Sequence, residues 1–163
     1  MNNASAWLAL GVKQQENERE HKALQALRRA IDLDPSHLPA WLALAVSCTN
    51  DNNRVGTYDA IHEWVNRNDR YKVFLLQFRN QNPDKPTASI PERYAYLTQC
   101  LIAMARSDGG REIDADIQIA LAVLLNANEV YIFMSHHPVL IVIWRTMPKP
   151  KIVSAQHWLC DQR

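Results

Sequence analysis

Two stretches of this chain say nearly the same thing. "AWLALGVKQQEN" occupies residues 6–17 and "AWLALAVSCTND" residues 40–51, so Trp7 and Trp41 stand 34 residues apart. A fixed period of that length limits the fold severely, because each copy must bury its apolar face against its neighbour. The tetratricopeptide repeat has this period, with a first-helix pattern W-x2-L-G-x2-Y, then A-x3-F, then Pro. From Trp7 the chain supplies Leu10 and Gly11, then Ala23, Leu27 and Ala30 along a second helix, and Pro35 at the stop. Gln14 takes the place of the aromatic residue. The second copy is looser but in frame: Trp41, Leu44, Ala45 and Cys48, followed by Thr57, Ile61 and Trp64 on one helical stripe.

Small residues at Gly11 and Ala45 predict close helix–helix approach, and the large residues predict filling of the groove between helices. "LDPSHLPAW" reads as the joint between copies, where Asp34-Pro35 stops one helix and Ser36 is placed to cap the next. Core packing in an ordinary helical bundle would explain two tryptophans, but not agreement along 34 positions.

Residues 4–64 therefore form two repeats. Residues 65–91 lose the pattern, and the run "RNQNPDKPTASIPER" with its three prolines predicts an exposed, irregular linker. A helix resumes over "ERYAYLTQCLIAMARS" and stops at Gly109-Gly110. In "DADIQIALAVLLNA", Gln118, Leu121, Ala122 and Leu125 return at first-helix spacing, so 92–129 holds a helix plus the first helix of a third repeat. In the expected register of its second helix Pro138 would remove a hydrogen bond, at about 3 kcal/mol. Residues 130–163 also carry four Lys/Arg against one acidic residue, with the β-branched run "VLIVI". They read as a non-repeat tail. The fold class is all-α: about two and a half tetratricopeptide repeats with an irregular C-terminal tail.

Composition excludes several function classes. Apolar residues make up 47% and charged residues 21%, as in a folded domain, and the net charge of +1 gives no electrostatic footprint for nucleic acid. Three dispersed cysteines without a CxxC suit a reducing compartment. Cys48 and Cys100 fall on apolar helix faces and read as buried thiols. The N-terminus lacks a basic n-region and apolar h-region, and "PVLIVIW" is too short to span a bilayer.

With the register fixed, residues 4–129 resemble the tetratricopeptide region of the peroxisomal type-1 targeting-signal receptors, the peroxin-5 family. The likeness rests on "AWLALGVKQQENE" with "ALQALRRAIDLDP", then "LALAVSCTND", then "IDADIQIALAVLLNANE" after an irregular linker. It implies a receptor for C-terminal Ser-Lys-Leu-type peptides of peroxisomal cargo proteins, cytoplasmic and cycling to docking proteins at the peroxisome membrane. The family's peptide-binding residues fall on Val46, Thr49, Asn50 and Asp51, the last where the family usually has Glu. Spacings of three and four put Val46, Thr49 and Asn50 on one helical face, which repeat geometry turns to the concave surface. There the Asn50 amide is placed to donate to a peptide, Val46 to give apolar contact and Asp51 to attract a basic side chain. Asn50 also suits the end of a helix. The first copy is expected to act mainly as a stacking neighbour.

The family's later repeats, which complete the clamp, are missing from the sequence. The expectation is a truncated product, with 130–163 derived from a retained intron or shifted frame, and weakened or absent cargo binding. The alternative is a generic tetratricopeptide scaffold or chaperone cofactor. Against it, the early first-helix places carry Leu8, Val12 and Leu42 rather than a lysine carboxylate clamp. His136, His137, His157 and Cys160 fit no zinc spacing, and no nucleophile or phosphate-loop motif is present. No catalytic residue, metal or cofactor is expected.

Overall fold

The computed structural model describes residues 3–83, 89–107 and 114–127. Among them are seven α-helices and one short 3-10 turn, with no strand. Three helices are cut to one length. α1 (Ala4–Glu16), α3 (Leu38–Asn50) and α7 (Ala115–Ala127) each have 13 residues, and each starts at the first place of a repeat. The second helices, α2 (Glu20–Leu33) and α4 (Arg54–Arg67), each have 14 and are offset by the same period.

Local chemistry sets these bounds. Asn3 caps α1, its side-chain oxygen accepting from the Ser5 amide at 2.9 Å. α1 then ends in two reciprocal bonds, Glu18 N–H to Gln15 O and Arg19 N–H to Gln14 O, both 2.9 Å. α3 ends in the same way, with Asn52 N–H to Thr49 O at 3.1 Å and Asn53 N–H to Cys48 O at 2.8 Å. Both are Schellman turns, in which the chain reverses through one left-handed residue. Between the repeats the joint differs from expectation. Ser36 does not cap α3; its amide and hydroxyl both bond Asp34 Oδ1, and His37 takes the cap position without a side-chain bond. Asp34 holds Ser36 because its carboxylate accepts two residues ahead, the usual Asx-turn geometry. These two bonds hold the Asp34 carboxyl below its ordinary range.

The core follows the repeat. Ala23, Leu27 and Ala30 of α2 are fully buried, as are Thr57, Ile61 and Trp64 of α4. Each large apolar side chain of this set contributes about 1.5–3 kcal/mol by leaving water. Gly11 makes the α1–α2 contact possible, since a Cβ there would lie 2.6 Å from Leu27 Cδ2. Trp7 and Trp41 are only half-buried. Trp41 staples the joint instead, donating its indole N–H to Pro35 O at 2.9 Å under the Arg67 guanidinium.

Where an irregular linker was expected over 65–91, α4 continues to Arg67, a 3-10 turn spans Asp69–Tyr71, and α5 spans Lys72–Gln81. Phe74, Leu75 and Phe78 carry the helical spacing there. Leu75 is buried, and the Phe78 ring meets both Phe74 and Tyr96. α6 (Ile90–Ser107) starts two residues before the expected helix and packs on α5 and α7. α7 then returns to pack on α3 and α4, across the intervening chain. α1, α3 and α7 thus form a row of directly touching first helices, the arrangement that curves an array inward on that side. Gly109-Gly110, Pro138 and the tail 130–163, with His136, His137, His157 and Cys160, lie outside the described residues.

Candidate functional site

The four expected site residues occupy the last turn and a half of α3. α3 packs against α1, α2, α4 and α7, so Leu42 to Cys48 are buried and the helix is fully exposed only at Asn50. Val46 is 6% exposed, so little of its surface remains for a ligand. It occupies the ninth place of its repeat, and Val12 and Val123 occupy the ninth places of α1 and α7. All three valines are nearly buried to the same degree. This is a packing position of the row.

Thr49 is half-buried, its hydroxyl 2.9 Å from Ala45 O and 3.1 Å from Thr57 Oγ1. The Thr57 hydroxyl in turn lies 3.1 Å from Asn53 O. With Thr49 donating to Ala45 O and Thr57 to Asn53 O, neither hydroxyl proton is left for a ligand. Asn50 is exposed, and its Nδ2 donates to Glu20 Oε1 at 2.8 Å. A carboxylate can only accept, so the amide nitrogen faces Glu20 and Oδ1 is the acceptor left to solvent. Asp51 is exposed and caps α3, its amide donating to Ser47 O at 3.0 Å.

Below the turn lies Cys48, 1% exposed, whose thiol is pushed up to about 11, chiefly by burial. Arg28 opposes this rise, while Asp51, Asp59 and Glu20 add to it, so three carboxylates and one guanidinium act on the same point. The end of α3 therefore offers two exposed acceptors, Asn50 Oδ1 and the Asp51 carboxylate.

Glu20 is the contact that sequence reasoning missed. It belongs to the first repeat, thirty residues from Asn50, and a glutamate in the first turn of a helix looks like an ordinary partner for the helix dipole. The first copy also holds α3 through Gln15, whose Nε2 donates to Ala43 O at 2.8 Å and to Ser47 Oγ at 2.6 Å. It does more than stack.

No family model matches the chain. It is similar to the peroxisomal targeting signal receptor of Yarrowia lipolytica, 36% identical over 129 residues, which is 78% of this chain and 21% of that protein. The PEX5-related protein of Homo sapiens is 35% identical over 127 residues, 76% of this chain and 20% of that protein. The peroxisomal targeting signal receptor of Komagataella phaffii is 32% identical over 127 residues, 77% of this chain and 22% of its own length. The chain spans about a fifth of the length of these relatives.

Proposed function

Because this chain belongs to the family of the peroxisomal targeting signal receptors and PEX5-related proteins, we propose that it recognises C-terminal targeting peptides of the Ser-Lys-Leu type at the open end of α3. The observation that carries this reading is the exposed pair Asn50 and Asp51 at the end of α3, with the Asn50 amide nitrogen held by Glu20. An amide oxygen and a carboxylate suit the backbone N–H groups and lysine ammonium of an extended peptide, and the carboxylate repels a peptide's own terminal carboxylate. This end of α3 thus takes the penultimate lysine and the adjoining backbone, with Asp51 as counter-ion. Asn50 accepts a peptide N–H rather than donating to the terminal carboxylate. Val46 supports the turn from beneath.

In this reading the protein is a receptor of the import system, working from the cytoplasm and meeting docking proteins at the peroxisome membrane. Among the described residues no helix is long and apolar enough to cross a membrane. The test is a titration with a fluorescent peptide ending in Ser-Lys-Leu, beside one with norleucine for lysine. Loss of the ammonium is expected to weaken binding, and Asp51→Asn to remove the difference between the peptides. Equal affinity of wild type for both peptides, or no binding of either, would overturn the proposal.

A further inference from the structure

We infer that Glu20 is a positioning residue for peptide recognition, setting the face that Asn50 presents; this rests on the function proposed above. An exposed asparagine at a helix end rotates freely, and its amide and carbonyl ends are nearly the same shape. Here the ambiguity is removed from another helix. Glu20 Oε1, at the start of α2, accepts from Asn50 Nδ2 at 2.8 Å, a charge-assisted bond spanning the junction between repeats. The bond fixes nitrogen inward and Oδ1 outward.

The second oxygen strengthens the case. Glu20 Oε2 is buried and meets no donor among the described residues. An unmet buried acceptor is destabilising, so this half-buried carboxylate depends on the donor it does meet, the Asn50 amide. Glu20 keeps one oxygen unmet while the other holds Asn50. It also adds negative charge behind the acceptor set, which reinforces selection for N–H and ammonium groups. Glu20 thereby makes the first repeat part of the recognition machinery without touching the peptide.

The experiment measures affinity for the Ser-Lys-Leu peptide in wild type, Glu20→Ala, Glu20→Gln, Asn50→Ala and the double variant E20A/N50A, with helical content checked by circular dichroism. Removing the anchor is expected to weaken binding roughly five- to tenfold. Glu20→Gln keeps an acceptor of the same shape and is expected to recover most of that loss. The double variant should bind no more weakly than Asn50→Ala alone, since both act through one group. Glu20→Ala binding like wild type, or losses that add in the double variant, would overturn the positioning role while leaving the peptide reading intact. Absence of binding by wild type would overturn the peptide reading and this role with it. Were Glu20→Ala to lose helical content, the Gln variant alone decides: near-wild-type affinity supports the role of the acceptor, and a loss as large as that of Asn50→Ala refutes it.

Discussion

Glu18 and Asn52 stand one repeat apart and share a left-handed backbone, with φ of 56° and 54°. Each is the reversing residue of the turn that joins first to second helix. The two sequences solve the same backbone problem with different side chains. Asparagine tolerates this conformation, whereas glutamate is strained in it by about 1–2 kcal/mol. Glu18→Gly is therefore expected to stabilise the protein by roughly 0.5–1 kcal/mol after the entropy of glycine is subtracted. Asn52→Gly should change little. Urea unfolding of both variants checks this, and a lower midpoint for Glu18→Gly would contradict it.

Gly11 gives a prediction of opposite sign. A methyl group there meets Leu27 Cγ and Cδ2 at 2.6 Å, and Leu27 has no exposed side to retreat to. Gly11→Ala should destabilise by about 1–3 kcal/mol despite the better helix propensity of alanine. Trimming the neighbour, as in G11A/L27V, should cost less than the sum of the two single changes. Strict additivity would show that the crowding is relieved elsewhere.

Asp114 tethers the third repeat. Its Oδ2 accepts from the Arg70 guanidinium at 2.8 Å and the Tyr71 hydroxyl at 3.0 Å, while Oδ1 accepts from the Asp116 amide at 3.0 Å to cap α7. Asp114→Ala should cost about 1–2 kcal/mol, chiefly through the lost cap of α7. Asp114→Asn keeps an acceptor for the cap and should cost less. Hydrogen exchange in α7 is the sensitive readout; protection equal to wild type in Asp114→Ala would show the tether to be idle.

Cys48 and Cys100 are both pushed by burial to about 11, from an ordinary value of 9.0. In a Cys160→Ser background, iodoacetamide labelling at pH 8 should be slow, because about one thiol in a thousand is ionised. The rate should rise with urea as the helices open. The sign of the pH effect is fixed by the upward shift. Stability from the buried neutral thiols is intact below pH 9 and is lost as pH rises through about 11. Rapid labelling of the native protein would refute the buried assignment.

The parts of this fold that were legible in the sequence are those written locally. Trp7, Gly11, Leu27 and Pro35 fix a period, and a period fixes helix lengths and turns. α5 was hidden because its apolar residues, Phe74, Leu75 and Phe78, adjoin a proline-rich polar run that dominates the composition of 65–91. The capping expectation at Ser36 failed because Asp34, two residues earlier, is the stronger local acceptor. At the candidate site, spacing brought Thr49 and Asn50 together at the end of α3. It carried no sign that Val46 is covered or that Glu20 grips Asn50, because both depend on helices packed from other parts of the chain.

The return of α7 to α3 and α4 has a kinetic consequence. The first four helices are joined by short turns, so their contacts form with little entropy lost to loop closure, whereas α7 reaches α3 and α4 only through contacts of long sequence separation, with α6 packed between. The N-terminal pair of repeats is thus a template that matures first, and the third joins a surface already in place.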